Sequence, residues 1–130
     1  MHINGLQLPA CIAVLLQAER WVAPDPETLQ RVMGDVPVHP IFYHYSLMQS
    51  ENSHWLEEKR LEYVGVADGS GGVIDPAKSV LIGDLGPDRL VALDYGRGYP
   101  PRVVYLGHGS SSWVEIAEDA ESLLRRLGLG

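Results

Sequence analysis

Val80-Leu81-Ile82-Gly83-Asp84-Leu85-Gly86, Val91-Ala92-Leu93-Asp94-Tyr95, Arg102-Val103-Val104-Tyr105-Leu106 and Trp113-Val114-Glu115-Ile116-Ala117 follow one another through the C-terminal half of this 130-residue chain. Each run is short and largely apolar, with Gly, Pro, Asp or Ser near its ends, the pattern of strands separated by turns. Leu90 to Tyr95 is apolar at both alternating positions, which predicts an interior strand covered on two sides. Short loops between the last three runs predict an antiparallel meander. Glu118-Asp119 then opens a helix whose Ala120, Leu123, Leu124 and Leu127 fall at i, i+3, i+4 and i+7, a single apolar stripe. Acids at its start, Arg125-Arg126 at its end and Gly128 beyond complete the helix signals.

Working back from there, Asp75-Pro76 predicts a turn and Gly83 to Asp88 a tight connection. Pro9 opens a first helix with Ile12, Leu15 and Leu16 on its stripe, widened by Val14. Asp25-Pro26-Glu27-Thr28 is a strong helix start, with Leu29, Val32 and Met33 on the apolar side and Gly34 as the stop. Pro37 and Pro40 predict a loop. Ile41 to Tyr45 reads as a short extended segment. Ser46-Leu47-Met48-Gln49 has capping-box spacing, so a helix is expected from Leu47, with Met48, Trp55, Leu56 and Leu61 on one face. The polar insert Ser50-Glu51-Asn52-Ser53 weakens this helical pattern and leaves room for a break there. Residues 63–67 read as a strand and Asp68-Gly69-Ser70-Gly71-Gly72 as a glycine loop. The fold expected is α+β: one domain over residues 1–130, a mainly antiparallel twisted sheet with helices packed against it.

Composition narrows the functional classes. With 45% apolar residues the chain can build a core without metal or disulfide staples. The single Cys11 lies in an apolar run and is expected as a small buried thiol in a reducing compartment. The first residues hold no Lys or Arg, and Leu8 to Ala18 is shorter than the roughly 20 residues of a membrane span, so cytoplasmic residence is expected. Seventeen acids against ten bases give a net charge of −7. That argues against direct nucleic-acid binding, which needs clustered Lys and Arg. It suits a basic protein partner, although solubility alone accounts for it equally.

Tests of the chemical motifs favour structural readings. In Asp68-Gly69-Ser70 a Gly separates Asp from Ser, breaking the serine-protease pattern, and no Gly-Lys-Ser/Thr follows to make a phosphate loop. Gly107-His108-Gly109-Ser110-Ser111-Ser112 joins two predicted strands and lacks a nucleophile elbow. A small hydrolase using His108 with Ser110 to Ser112 or the aspartates is the alternative enzyme reading. The five His show no metal-ligand spacing, although His39 and His44 could meet Asp84 or Asp94 in space. Asp84 and Asp88 suit turn chemistry. Asp94 differs: it ends an apolar strand beside Tyr95, and a loop with Arg97 and Tyr99 follows. Asp94, Tyr95, Arg97 and Tyr99 are therefore the candidate partner-binding residues, because Tyr and Arg are favoured in recognition surfaces. No catalytic residue, metal or cofactor is assigned.

The series running from Leu81-Ile82-Gly83-Asp84-Leu85-Gly86 through the three later strands to Leu127-Gly128-Leu129 resembles the SUKH superfamily, the Smi/Knr-type group, across about residues 75–129. The stretch from Phe42 through Trp55-Leu56 is similar to the family's mid-section. Leu8-Pro9 is present, without the aromatic and Gly-Gly that follow it in many members. The resemblance implies an α+β immunity-like protein that neutralises a toxin domain, such as a nuclease or deaminase, by binding it. It carries over no catalytic residues. The readings together lead to the expectation of a protein partner, a basic toxin domain suiting the acidic balance, with no direct nucleic acid, no membrane and a monomer or weak homodimer as the acting species. A regulatory or ligand-binding module without a toxin is the remaining alternative.

Overall fold

Each closing run from Ser79 onward becomes a strand, and together they form most of a five-stranded sheet. The computed structural model describes residues 1–58, 74–107 and 113–129. The expected strand at 63–67, the glycine loop at 68–72, Leu61 and the loop around His108 and Ser110 to Ser112 lie outside the described residues.

The chain starts with a two-stranded hairpin, β1 (His2–Ile3) and β2 (Leu6–Gln7), followed by helices α1 (Ala10–Gln17) and α2 (Pro26–Met33). After β3 (Ile41–Phe42) come α3 (Tyr45–Glu58) and a 3-10 turn (Pro76–Lys78). The meander β4 (Ser79–Asp84), β5 (Leu90–Asp94), β6 (Arg102–Leu106) and β7 (Trp113–Ala117) precedes α4 (Ala120–Leu127). Sheet order is β3-β4-β5-β6-β7, with every neighbouring pair antiparallel. The expected α+β class and meander are both present.

Local chemistry accounts for the helix ends. The Asp25 carboxylate accepts the Thr28 N–H, Pro26 sits in the first turn where its missing donor costs nothing, and Gly34 closes α2 in the left-handed region. Asp119 caps α4 through the Ser122 N–H, and Gly128 ends it in the same left-handed way. Ala120, Leu123, Leu124 and Leu127 are buried as the stripe predicts. Burial at roughly 1.5–3 kcal/mol per leucine makes α4 integral to the core. Every residue of β6, and Val91 to Asp94 of β5, is buried, so both faces of the central strands are covered. Gly83 admits the β3 edge: a Cβ there would stand 2.7 Å from the Ile41 carbonyl oxygen.

Three expectations change. Val14 faces solvent, so the buried stripe of α1 is the narrower Ile12, Leu15 and Leu16. The α3 helix starts two residues before Leu47 and is capped from His44, whose Nδ1 accepts the Leu47 N–H at 3.2 Å and whose carbonyl accepts the Met48 N–H. No break occurs at the polar insert. Asn52, in its middle, is fully buried, and its side-chain amide serves the sheet: Oδ1 accepts the Leu81 N–H at 2.7 Å, and Nδ2 donates to the Leu81 and Met48 carbonyls at 2.8 Å each. A buried amide so fully bonded costs the helix little.

Candidate functional site

The loop between β5 and β6 is anchored by an ion pair inside the sheet. Asp94 and Arg102 are register partners at the base of this hairpin. Arg102 Nη2 lies 2.7 Å from Asp94 Oδ2, and its Nε donates to the same oxygen at 2.8 Å. Arg102 Nη1 reaches Glu115 Oε1 on β7 at 3.5 Å, so three strands share one charge cluster. Asp94 is 3% exposed and Arg102 is 7% exposed. Pairs this dry offset their desolvation only through such bonding.

From that base the loop is set bond by bond. Asp94 Oδ1 accepts the Gly96 N–H at 2.9 Å, and the Gly98 N–H closes a turn on the Tyr95 carbonyl. The Tyr95 N–H donates to the Lys78 carbonyl, and its hydroxyl donates to the Gln7 carbonyl of the N-terminal hairpin at 2.7 Å. Burial, and then the neighbouring Tyr99, hold the Tyr95 phenol far above its ordinary pKa, so it remains a neutral donor. The Tyr99 ring stands 6.2 Å from that of Tyr95 at a tilt of 36°, and Tyr99 is 58% exposed. Arg97 is exposed between them in the chain.

Of the four candidates, then, Arg97 and Tyr99 face solvent, Tyr95 is half-buried, and Asp94 turns inward to shape the loop. Sequence reasoning missed Arg102, Gln7 and Lys78, which hold the loop from β6, β2 and the 3-10 turn. Gln7 lies 88 residues from Tyr95, and no local pattern signals that contact.

The other candidates separate. Asp84 and Asp94 stand at opposite ends of the β4–β5 pair, opposite Leu90 and Ser79 respectively, so the two do not meet at a common histidine site. Among the described residues, no group of three or more His, Cys, Asp or Glu side chains is placed to hold a metal ion. Asp84 accepts the Tyr43 hydroxyl at 2.8 Å and the Gly86 N–H at 3.1 Å, the turn chemistry expected of it. Burial raises its carboxyl pKa against those bonds, and burial beside Asp84 drives the Tyr43 phenol upward. Both line a pocket of ≈ 260 Å³ with His54 and Trp55. That volume falls below the roughly 300–1,000 Å³ of small-molecule sites. Cys11 is half-buried at the core's margin, in a shallow recess with Arg125 and Glu121. Burial chiefly keeps its thiol protonated, which suits the structural reading.

No helix among the described residues is long and apolar enough to cross a membrane. Comparison of the chain with family models, with curated proteins and with solved structures finds no match.

Proposed function

We propose that this chain is a non-catalytic protein-binding module whose contact loop runs from Tyr95 to Tyr99. One observation carries the reading: exposed Arg97 and Tyr99 sit on a loop whose base is locked by the buried Asp94–Arg102 pair. A loop ordered before it meets its partner loses less entropy on binding, and tyrosine and arginine are the side chains best suited to anchor a contact. The net charge of −7 favours a basic partner through faster encounter.

The finer reading is an immunity-like protein of SUKH type that occludes a basic toxin domain in the cytoplasm. It draws on the resemblance of residues 75–129 and on the acidic balance. The test is co-expression with a toxin encoded beside this chain's gene: protection of the cells supports the reading. An Arg97→Glu variant should bind that toxin more weakly by about 1–2 kcal/mol, a roughly 5- to 30-fold loss. Full toxicity alongside well-expressed wild-type chain, with no toxin binding in vitro, would reject the immunity role. Turnover of ester or phosphodiester substrates, lost in His108→Ala, would favour the hydrolase instead.

A further inference from the structure

We propose that the groove beside β3 is a second docking site, which takes an extended, aliphatic segment of a partner protein, flanked by positive charge, by strand addition. It lies away from the β5–β6 loop: β3 pairs with the Gly83–Asp84 end of β4, whereas the loop springs from the Ser79 end. The proposal therefore stands or falls independently of the role given to Arg97.

Backbone directions come first. The Tyr43 N–H donates to the Ile82 carbonyl at 3.0 Å, and Ile41 is registered with Asp84. Antiparallel ladders alternate, so the N–H and C=O of Phe42, between those two, point away from β4. Among the described residues β3 is the last strand of the sheet, so they point to its outer edge.

Beside that edge lies a groove of ≈ 530 Å³ lined by Leu16, Trp21, Val22, Pro26, Ile41 and Phe42. Its floor is rigid, because the Trp21 and Phe42 rings stack at 4.5 Å and the Trp21 indole N–H is bonded to the Ile82 carbonyl at 3.1 Å. Val22 (60%) and Ile41 (48%), both on its wall, leave apolar surface open there. Exposed apolar surface on a free strand edge is the architecture that receives an added strand, with side-chain pockets reading alternate residues.

Two observations choose the occupant. Glu19 is the charged side chain among the described lining residues, and of the charged residues next to lining ones in sequence two are acidic, Asp25 and Glu27, and one is basic, Arg20. A second copy would bring the same Glu19 and another net charge of −7 to the contact, so like charges oppose pairing and a basic segment is favoured. The indole N–H is already committed inward, which removes the donor that an aromatic groove offers to a proline-rich ligand's carbonyl.

The test is fluorescence anisotropy of the full chain with a labelled peptide of alternating valine and threonine, lysine at both ends. Three comparators are a glutamate-ended version, a lysine-ended version N-methylated at alternate amides, and a lysine-ended proline-rich peptide. The lysine-ended strand peptide should bind at least about tenfold tighter than each comparator. Ile41→Lys should weaken it by about tenfold or more, while Arg97→Glu leaves it unchanged. Ile41→Lys is checked by its melt. If it unfolds, Glu19→Lys gives the deciding readout, weakening the lysine-ended peptide and strengthening the glutamate-ended one. No binding at about 1 mM, equal binding of the comparators, or preference for the proline-rich peptide would overturn the proposal. So would dimerisation of the chain, in sedimentation, that Ile41→Lys abolishes, since it would assign the edge to a second copy.

Discussion

The Asn52 side chain of α3 is hydrogen-bonded to both backbone groups of Leu81 in β4, donating to its carbonyl and accepting from its N–H. It thereby acts as a strand partner where β3, only two residues long, does not reach. The hairpin joins the same point, because the Asn4 side chain donates to the Asn52 carbonyl at 3.0 Å. One residue thus ties hairpin, helix and sheet together, its side chain to the sheet and its backbone carbonyl to the hairpin.

Asn52→Leu should cost about 2–6 kcal/mol, because it strands two buried backbone groups at roughly 1–3 kcal/mol each. Urea unfolding measures it. A loss below about 0.5 kcal/mol would show that the Leu81 groups find other partners.

Arg102→Met should cost about 3–5 kcal/mol by leaving the Asp94 carboxylate buried without its cation. Adding Asp94→Asn should recover part of that loss, since the amide keeps an acceptor for the Gly96 N–H and carries no charge. Denaturant midpoints of the two variants decide it. A double variant weaker than the single one would contradict the argument.

Burial holds the Asp84 carboxyl above its ordinary range. An acid whose folded-state pKa exceeds its unfolded value of about 3.9 contributes stability that is complete below that pH and is lost as pH rises through the folded value. Asp84→Asn keeps acceptors for Tyr43 and Gly86 but removes the desolvated charge. The variant should therefore gain stability relative to wild type between about pH 3.5 and pH 7, read from urea midpoints at both ends. A gap that shrinks with rising pH would refute this.

Asp119 behaves oppositely. The Ser122 N–H lowers its pKa, so its contribution is present above the unfolded value and is lost as pH falls through the depressed one. Asp119→Ala should cost about 1 kcal/mol at neutral pH, the usual worth of a helix cap. The difference should shrink as pH falls through that depressed value, because the charged cap is then lost. Thermal melts at neutral and acid pH test it.

Short-range chemistry made part of this molecule legible from sequence. Asp25 with Pro26 and Gly34, the leucine stripe of α4, and the apolar runs of β4 to β7 each depend on residues within a turn or strand of one another, where propensity and periodicity act. The same logic placed Tyr95, Arg97 and Tyr99 on one loop.

By itself, the sequence determined α1, α2, α4 and the meander of β4 to β7, because each is written in neighbouring residues. Only the tertiary structure decided that α3 runs unbroken through its polar insert, that Asp94 turns inward to Arg102, and that β3 stands at the end of the sheet among the described residues. In the first two cases the deciding group comes from another element, 29 residues from Asn52 and 8 from Asp94. A buried polar group is stable only where the fold brings it a partner, and an edge is open only where the fold brings none. Local pattern encodes neither.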